Sequence, residues 1–572
     1  MKVILAESAG FCSGVKSALR VAVDAARHQP GIFASGPLIH NSKAVRLLAL
    51  RGIVSSAEQP AAGKAVLIRA HGAPPAERQA WLAAGHPLVD ATCCHVASNF
   101  NLAANAAAAG RTVIVAGDRD HPEVLAILGH AGKTARLVST PQEASTLTVK
   151  GEAVLLAQTT FSNREFTHIA DILRQRLPDL QVHNTICQAS ERRQAEAREL
   201  AEQVEVMLVV GDPESANSRR LAEAAREAGK PVFLIPDANH LDSESLQNFR
   251  LAGVTAGAST PGWITQAVAA RLLRLGKKSF RNHLESLLHF LPESRLSTAF
   301  AAAGLTLGCQ YLAEIPRQAS LAAAAGLYVF FAHLLNRRVP DDHAVRIISG
   351  IDPFYNRHRT LLLLFAWTAV LLSLGLALQN GVASLFVPAV LATLLLARRL
   401  TEKMPLLHPL RRHPASLAIF TALGWSLTIA GPVCLASWPD PRGLATVLYV
   451  FFFVFGRTII RDLADVDSDH LLGIATLPVA WSENKARLLM VALIGIAMAI
   501  PLGLGVGACL SQNAPPAWLL FTLLLSGLTS VSLWFGQENK WASFRDPLRQ
   551  QTSLDAIGCL TGLLACLFPY PP

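Results

Sequence analysis

The apolar positions divide the chain into two halves of different character. Up to about Gly276 the apolar runs are short and separated by polar turns; beyond about Ser297 they lengthen to membrane-spanning size and keep recurring. In the first half, strand-like runs alternate with helical stretches, at Val3–Leu5, Ile32–Ala34, Ala65–Ile68, Val113–Ala116, Ala153–Leu156, Val206–Val210, Val232–Ile235 and Gly253–Thr255. That alternation predicts parallel α/β units in a soluble α/β domain. In the second half, apolar stretches fall at about 298–315, 318–335, 361–378, 382–397, 416–436, 443–460, 488–507, 517–535 and 553–570. They predict an all-α polytopic membrane domain of about nine transmembrane helices. The domain boundaries are then 1–276 and 298–572, joined by a mixed, basic linker over 277–297. Its amphipathic stretch Leu284–Phe290 suits a membrane face or a short linker helix.

With 51% hydrophobic residues and a mean hydropathy of +0.34, the 572-residue chain is too apolar for a wholly soluble enzyme. Its net charge of +10 raises nucleic acid as a partner, but the basic residues of the second half cluster in alternate loops. Arg337, Arg338, Arg346, Arg398, Arg399, Lys403, Lys485, Lys540 and Arg545 lie in one set, while the opposite set holds little beyond Arg317 and Arg442. This is a topology signal, so no nucleic-acid partner is expected. The positive-inside rule predicts a multi-pass protein of the inner (cytoplasmic) membrane, embedded in the lipid bilayer, with its N-terminal domain in the cytoplasm. Nine cysteines without paired spacing point to a reducing compartment rather than a secreted disulfide framework. From Met1 the chain runs straight into a strand, with no signal-peptide pattern.

In parallel sheets ligands collect beyond the carboxyl ends of the strands, and the residues in those places carry selected chemistry. Cys12 lies between glycines in Gly10-Phe11-Cys12-Ser13-Gly14, Cys93 ends Asp90-Ala91-Thr92-Cys93, and Cys187 ends Asn184-Thr185-Ile186-Cys187. His40, His71 and His121 follow the second, third and fourth runs, with Glu123 just beyond His121. Gln158-Thr159-Thr160, Ser215-Ala216-Asn217-Ser218 and Ser259 follow later runs. Histidines, hydroxyls, an amide and a helix N-terminus are donors suited to phosphate oxygens. Three thiolates suit either an iron–sulfur cluster or zinc, and their spacing does not choose. The set reads as an anion pocket beside a metal centre.

These segments, with His40-Asn41, Ala70-His71-Gly72, His121-Pro122-Glu123-Val124 and the run from Gly253 to Ser259, resemble the LytB/IspH family of 4-hydroxy-3-methylbut-2-enyl diphosphate reductases over residues 1 to about 276. The resemblance implies three α/β subdomains around a central [4Fe–4S] cluster. It implies the last step of the non-mevalonate isoprenoid pathway: two-electron reductive removal of an allylic hydroxyl, giving isopentenyl and dimethylallyl diphosphates. Carried over residue by residue, Cys12, Cys93 and Cys187 are cluster ligands, and His40, His71, His121, Ser215, Asn217 and Ser259 bind the diphosphate. Thr159 stands beside the substrate hydroxyl, and Glu123 matches the proton donor. Electrons are expected from a donor of ferredoxin or flavodoxin type. Two positions depart from the family: Ala216 replaces a usual second serine, and Cys94 stands where proline is common. Ligation is assigned to Cys93 because it directly follows Asp90-Ala91-Thr92.

In the second half, Asp462, Asp465 and Asp469 lie at i, i+3 and i+7 at the end of the sixth apolar stretch, one face of a helix. Such carboxylates suit Mg²⁺ bridging to substrate phosphates. With Thr476-Leu477-Pro478-Val479 this segment resembles the second aspartate-rich motif of the UbiA-type intramembrane prenyltransferases. That family transfers a prenyl group from a prenyl diphosphate to a lipophilic acceptor. Its first motif is only partly present: Asn336 matches, but Pro340 stands where the Asn-x-x-x-Asp spacing puts an aspartate, with Asp341 next to it. The resemblance implies Asn336, Asp462, Asp465 and Asp469 as Mg²⁺ ligands. The chain is thus expected to be a membrane-bound reductase fused to a prenyltransferase; the alternative is a reductase tethered by a catalytically inactive membrane anchor.

Overall fold

In the computed structural model the first half forms twelve short strands: β1 (Lys2–Leu5), β2 (Ile32–Ala34), β3 (Ile53–Ser55), β4 (Val66–Ile68), β5 (Leu88–Asp90), β6 (Thr112–Ala116), β7 (Arg136–Val138), β8 (Ala153–Ala157), β9 (Leu180–Val182), β10 (Val206–Val210), β11 (Val232–Ile235) and β12 (Leu251–Ala256). Their pairings are all parallel and make three four-stranded sheets, ordered β1-β12-β10-β11, β3-β2-β4-β5 and β7-β6-β8-β9. The structure describes residues 1–275, 290–335, 353–396, 413–510, 516–536 and 547–568, apart from residues 30, 56–59, 150, 292–293 and 473. Two compact units form, Met1–Lys277 with His470–Gly473, and Lys278–Asp469 with Ile474–Pro572.

The hydrophobic pattern locates eight of these strands. The four it passes over, β3, β5, β7 and β9, are three residues long and lie at the sheet edges. An edge strand is covered on fewer sides, so its sequence carries little apolar signal: Arg136 and Gln181, for example, are exposed. The central β8 and β10 are buried at every residue and read as unbroken apolar runs.

The path between sheets organises the first unit. From β1 of the first sheet, the helix Ser13–His28 crosses to the second sheet. From β5 the helix Cys94–Ala108 crosses to the third, and from β9 the helix Gln188–Gln203 returns to the first. Each sheet keeps cores of its own: Leu19, Ile32 and Leu67 in the second, Leu155, Phe166 and Leu173 on one face of the third, and Leu208, Val254 and Val268 in the first. Each such buried side chain contributes roughly 1.5–3 kcal/mol.

In the second unit each of the nine apolar stretches overlaps a helix, in order Leu296–Leu312, Ala319–Leu335, Pro353–Gln379, Ala383–Leu396, Ser416–Ser437, Pro441–Ala464, Glu483–Leu510, Pro516–Gly536 and Pro547–Leu567. Among the described residues four of these, His358–Gln379, Ser416–Ser437, Pro441–Ala464 and Glu483–Leu510, are long and apolar enough to cross a membrane. The first and last helices approach through Gly304, Gly558 and Gly562, where an added Cβ would strike the facing backbone. Arg457 and Asp555 form a buried ion pair, and Ser297 and Thr298 donate to Asp555 Oδ2 at 2.6 and 2.9 Å. Charges persist inside an apolar bundle only when paired in this way.

The aspartate segment differs from one continuous helix. The helix Pro441–Ala464 ends at Asp465, whose φ and ψ are −96° and 4°, and a second helix runs Val466–Leu472. Helical bonds still bridge the break: Asp465 N–H donates to Arg461 O at 3.1 Å and Asp469 N–H to Asp465 O at 2.8 Å. Asn336, Asp341, most of the linker, and the loop residues 337–346, 398–403 and 540–545 lie outside the described residues.

Candidate active site

Each helix that crosses between sheets begins with a cysteine as its N-cap: Cys12, Cys93 and Cys187. The backbone of each is tied to another strand end. Cys12 N–H donates to Ala258 O at 3.0 Å, Cys93 N–H to Ala70 O at 3.0 Å, and Cys187 N–H to Thr159 O at 2.9 Å. Three chain segments far apart in sequence are thereby brought to one junction of the sheets. Val15 N–H donates to the Cys12 sulfur at 3.4 Å, and the first-turn amides of His95 and Val96 and of Ala189 and Ser190 work against burial by lowering the Cys93 and Cys187 thiols. Such ends favour negative charge on sulfur.

Gly14 shows how closely the thiols converge. A Cβ built there would strike the Cys93 sulfur and come within 3.8 Å of the Cys12 sulfur, so only glycine leaves this cradle open. Burial pushes the Cys93 thiol up to about 11, with proximity to Cys12 adding to it, and burial and Cys12 raise Cys187 likewise. A soft cation relieves that penalty by taking the thiolates as ligands. Among the described residues, the one trio of His, Cys, Asp or Glu whose ligand atoms all lie within 4.8 Å is His40, His71 and His121. The three sulfurs are therefore spread wider than a single zinc, with bonds of about 2.3 Å, gathers its ligands. The donor set fits a [4Fe–4S] cluster held by Cys12, Cys93 and Cys187. Cys94 is exposed on the first helical turn.

Beside the cysteines sits Glu123, 1% exposed. Thr159 N–H donates to its Oε1 at 2.7 Å, the Thr159 hydroxyl bonds its Oε2 at 2.8 Å, and Asn99 bonds it as well. Burial outweighs these bonds and raises Glu123 from 4.5 to about 7, which leaves it protonated in mildly acidic to neutral solution.

The three histidines form a tight group, with ring centroids 5.0 Å apart for His40 and His71, 5.2 Å for His71 and His121 and 6.3 Å for His40 and His121. Burial keeps them neutral: His121 falls to about 4, His71 falls well below the usual value with His121 and His40 adding to the shift, and His40 is lowered too. The His121 Nδ1 accepts from Glu123 N–H at 3.2 Å, which leaves its single proton on Nε2. Gly72 (φ +74°) permits the turn after His71; a side chain there would also strike the Phe100 ring.

Several buried polar atoms around this group lack a hydrogen-bond partner among the described residues: His40 Nε2, His71 Nδ1, Arg69 Nε and both amide atoms of Asn217. Unpaired buried donors cost about 1–3 kcal/mol each, so such a concentration marks a place built for a ligand. Ser215 caps the helix Ala216–Arg226 and is 3% exposed, with no side-chain bond to the helix. Ser259 Oγ donates to His40 O at 2.9 Å and joins the first sheet to the second. Ala216, between Ser215 and Asn217, is buried.

Sequence reasoning passed over three supporting residues, Asn99, Arg193 and Arg220, and gave a fourth, Gln158, no role of its own. Asn99 donates to Ala157 O at 3.0 Å as well as bonding Glu123. Gln158 Oε1 accepts from Asp118 N–H at 2.9 Å and its Nε2 donates to Thr160 Oγ1 at 2.8 Å. Arg193 donates to Ala256 O and Gly10 O at 3.1 and 2.9 Å, fixing the loop before Cys12. Arg220 pairs with Asp118 and Glu165. Gln158 stood at a strand end and was within reach of the pattern; the others lie inside helices, where a polar residue usually means a solvated face. In the second unit, Asp462 and Asp469 are buried and Asp465 is half-buried.

Residues 3–273 match the model of the LytB protein family. The 4-hydroxy-3-methylbut-2-enyl diphosphate reductase of Treponema denticola is 37% identical over 289 residues, which span 48% of this chain and 99% of that protein. The solved structure of the E-1-hydroxy-2-methyl-but-2-enyl-4-diphosphate reductase from Plasmodium falciparum is 24% identical with a TM-score of 0.45, covering 46% of this chain and 86% of its own. A UbiA homolog from Archaeoglobus fulgidus, solved bound to GPP and Mg²⁺, matches the second half at 12% identity with a TM-score of 0.34, covering 48% of this chain and 99% of its own. With the Treponema relative matched along nearly its whole length at more than a third identity, the chain belongs to the LytB protein family.

Proposed function

We propose that the first unit reduces 4-hydroxy-3-methylbut-2-enyl diphosphate to isopentenyl and dimethylallyl diphosphates. One observation carries this reading: a buried carboxyl whose burial favours the protonated form, phosphate donors that lack a partner among the described residues, and three converging cysteines share one junction of three sheets. Overall, two electrons and two protons are consumed, the allylic C–O bond breaks, a C–H bond forms and water leaves. Cys12, Cys93 and Cys187 would hold a [4Fe–4S] cluster, which would supply the electrons, received from a ferredoxin- or flavodoxin-type donor, and Lewis acidity toward the hydroxyl.

The chain's own residues do the rest. His40, His71, His121, Ser215, Asn217 and Ser259 bind the diphosphate. Thr159 orients the substrate hydroxyl, and Glu123 delivers the proton without which hydroxide is a poor leaving group. Protein purified without oxygen in detergent, given this substrate and a one-electron reductant, is expected to yield both five-carbon products. Cluster-loaded protein that yields neither refutes the reading.

We propose further that the second unit binds a prenyl diphosphate through Mg²⁺ at Asp462, Asp465 and Asp469 and transfers the prenyl group to a lipophilic acceptor, in a cytoplasmic membrane with the first unit on the cytoplasmic side. The burial of Asp462 at the end of a 24-residue apolar helix, and of Asp469 on the short helix that follows, supports this, since oxygen ligands on Mg²⁺ suit that setting. Binding of a labelled long-chain prenyl diphosphate to the full chain is expected to need Mg²⁺ and to be lost in Asp465→Ala and Asp469→Ala. Binding unaffected by chelator and by both substitutions would leave this unit as an anchor.

A further inference from the structure

The relative placement of the sheets in the first unit matters to the proposed chemistry, because the donors come from different sheets. Ser215 and Asn217 follow β10 of the first sheet, whereas His121, Glu123 and Thr159 follow β6 and β8 of the third. The two sheets keep separate hydrophobic cores, so polar contacts across the seam have a large share in setting their register.

Arg220 makes such a contact. It lies on the helix Ala216–Arg226, one turn beyond Asn217, with its side chain 12% exposed. Its two terminal nitrogens divide between two carboxylates of the third sheet's segments, Asp118 Oδ1 in the loop after β6 at 2.8 Å and Glu165 Oε2 in the first turn of the helix Asn163–Arg176 at 3.0 Å, and its guanidinium carbon stands 4.5 Å from the centre of the Phe161 ring. Asp118 opens the loop that carries His121 and Glu123, and its N–H is held by Gln158. Phe161 closes the turn that carries Thr159, through its N–H to Gln158 O at 2.9 Å. One planar cation thus grips both loops of the acid site from the helix that offers Ser215 and Asn217.

We infer that Arg220 is a positioning residue that fixes the Glu123–Thr159 pair of the third sheet against the anion-binding helix start of the first. The fork geometry explains the residue type: a guanidinium donates in two directions and stacks on a ring at once, which an ammonium cannot do. A displacement of the acid by about 1 Å from bound substrate costs about a hundredfold in rate.

This inference rests on the reductase reading, and its test separates the two. In cluster-loaded full-length protein, Arg220→Ala is expected to raise the KM for substrate and the Kd for inorganic pyrophosphate several-fold and to lower kcat/KM per cluster by about tenfold to a hundredfold. Arg220→Lys recovers part of this by keeping one ion pair. Asp118→Asn gives the same kind of loss, and combining it with Arg220→Ala adds little, since both remove one contact. A role in folding alone lowers the cluster-loaded fraction and leaves KM and Kd per cluster at wild-type values, and that result, in Arg220→Lys and Asp118→Asn as well, overturns the inference. So does a double variant whose losses multiply. Pyrophosphate binding is measured directly by calorimetry, so the inference stands or falls on it even if wild-type turnover refutes the reductase reading.

Discussion

Replacing Glu123 by Gln probes the proton donor with little change of shape. Gln keeps an acceptor for Thr159 N–H and a donor for the Thr159 hydroxyl, so both bonds, at 2.7 and 2.8 Å, survive. The lost property is the acidic proton. Burial raises the Glu123 carboxyl from 4.5 to about 7. At pH 6 about 90% of it is then protonated, against roughly 3% of an ordinary carboxyl, a thirtyfold gain in the reactive form. The same shift has a cost in stability. A carboxyl whose folded value is raised stabilises the fold fully below its unfolded value and loses that contribution as pH rises through about 7, here about 3 kcal/mol. The assay is the pH profile of kcat/KM for the cluster-loaded protein under anaerobic conditions. Wild-type activity is expected to fall on the alkaline side of about pH 7, and Glu123→Gln to lose about 10²-fold or more at pH 6 and to lack that limb. Turnover within threefold of wild type, or an unchanged alkaline limb, would refute the reasoning.

Cys12→Ser, Cys93→Ser and Cys187→Ser are each expected to lose the brown iron–sulfur chromophore, as is Gly14→Ala, whose methyl group would occupy the cradle beside the Cys93 sulfur, while exposed Cys94→Ser keeps it; bleaching by Cys94→Ser but not Cys93→Ser reverses the ligand assignment. The histidines are neutral because burial lowers them, so a bound polyanion should draw protons onto them, and pyrophosphate affinity should strengthen as pH falls from 8 toward 6. Calorimetry in buffers of different ionisation enthalpy measures that proton uptake, and an uptake as large in His121→Asn as in the wild type would show that pyrophosphate alone accounts for it.

Most of the candidate site residues could be named from the sequence because they stand after apolar runs, at the strand ends where ligands collect; Cys93 and Cys187 instead follow β5 and β9. That placement needs no knowledge of which strand pairs with which. The division into a strand–helix half and a helical apolar half was legible for a similar reason: hydrophobic period and run length are local properties of a chain. The edge strands β3, β5, β7 and β9 were not, because partial exposure relaxes the demand for apolar residues. Nor was the break at Asp465, where spacing alone reads as one helical face.

What only the tertiary structure decided is who meets whom. Cys12, Cys93 and Cys187 are separated by tens of residues and share no local spacing, yet each caps a helix that leaves one sheet for another, so the crossings bring the three together. The pKa of Glu123 depends on burial by segments distant in sequence, which no residue beside it encodes. Arg220 reads as one more arginine on an amphipathic helix until the seam between two sheets puts Asp118, Glu165 and Phe161 around it. Local pattern specifies elements and the chemistry at their ends; proximity and low dielectric, which turn those groups into a site, arise from packing between elements.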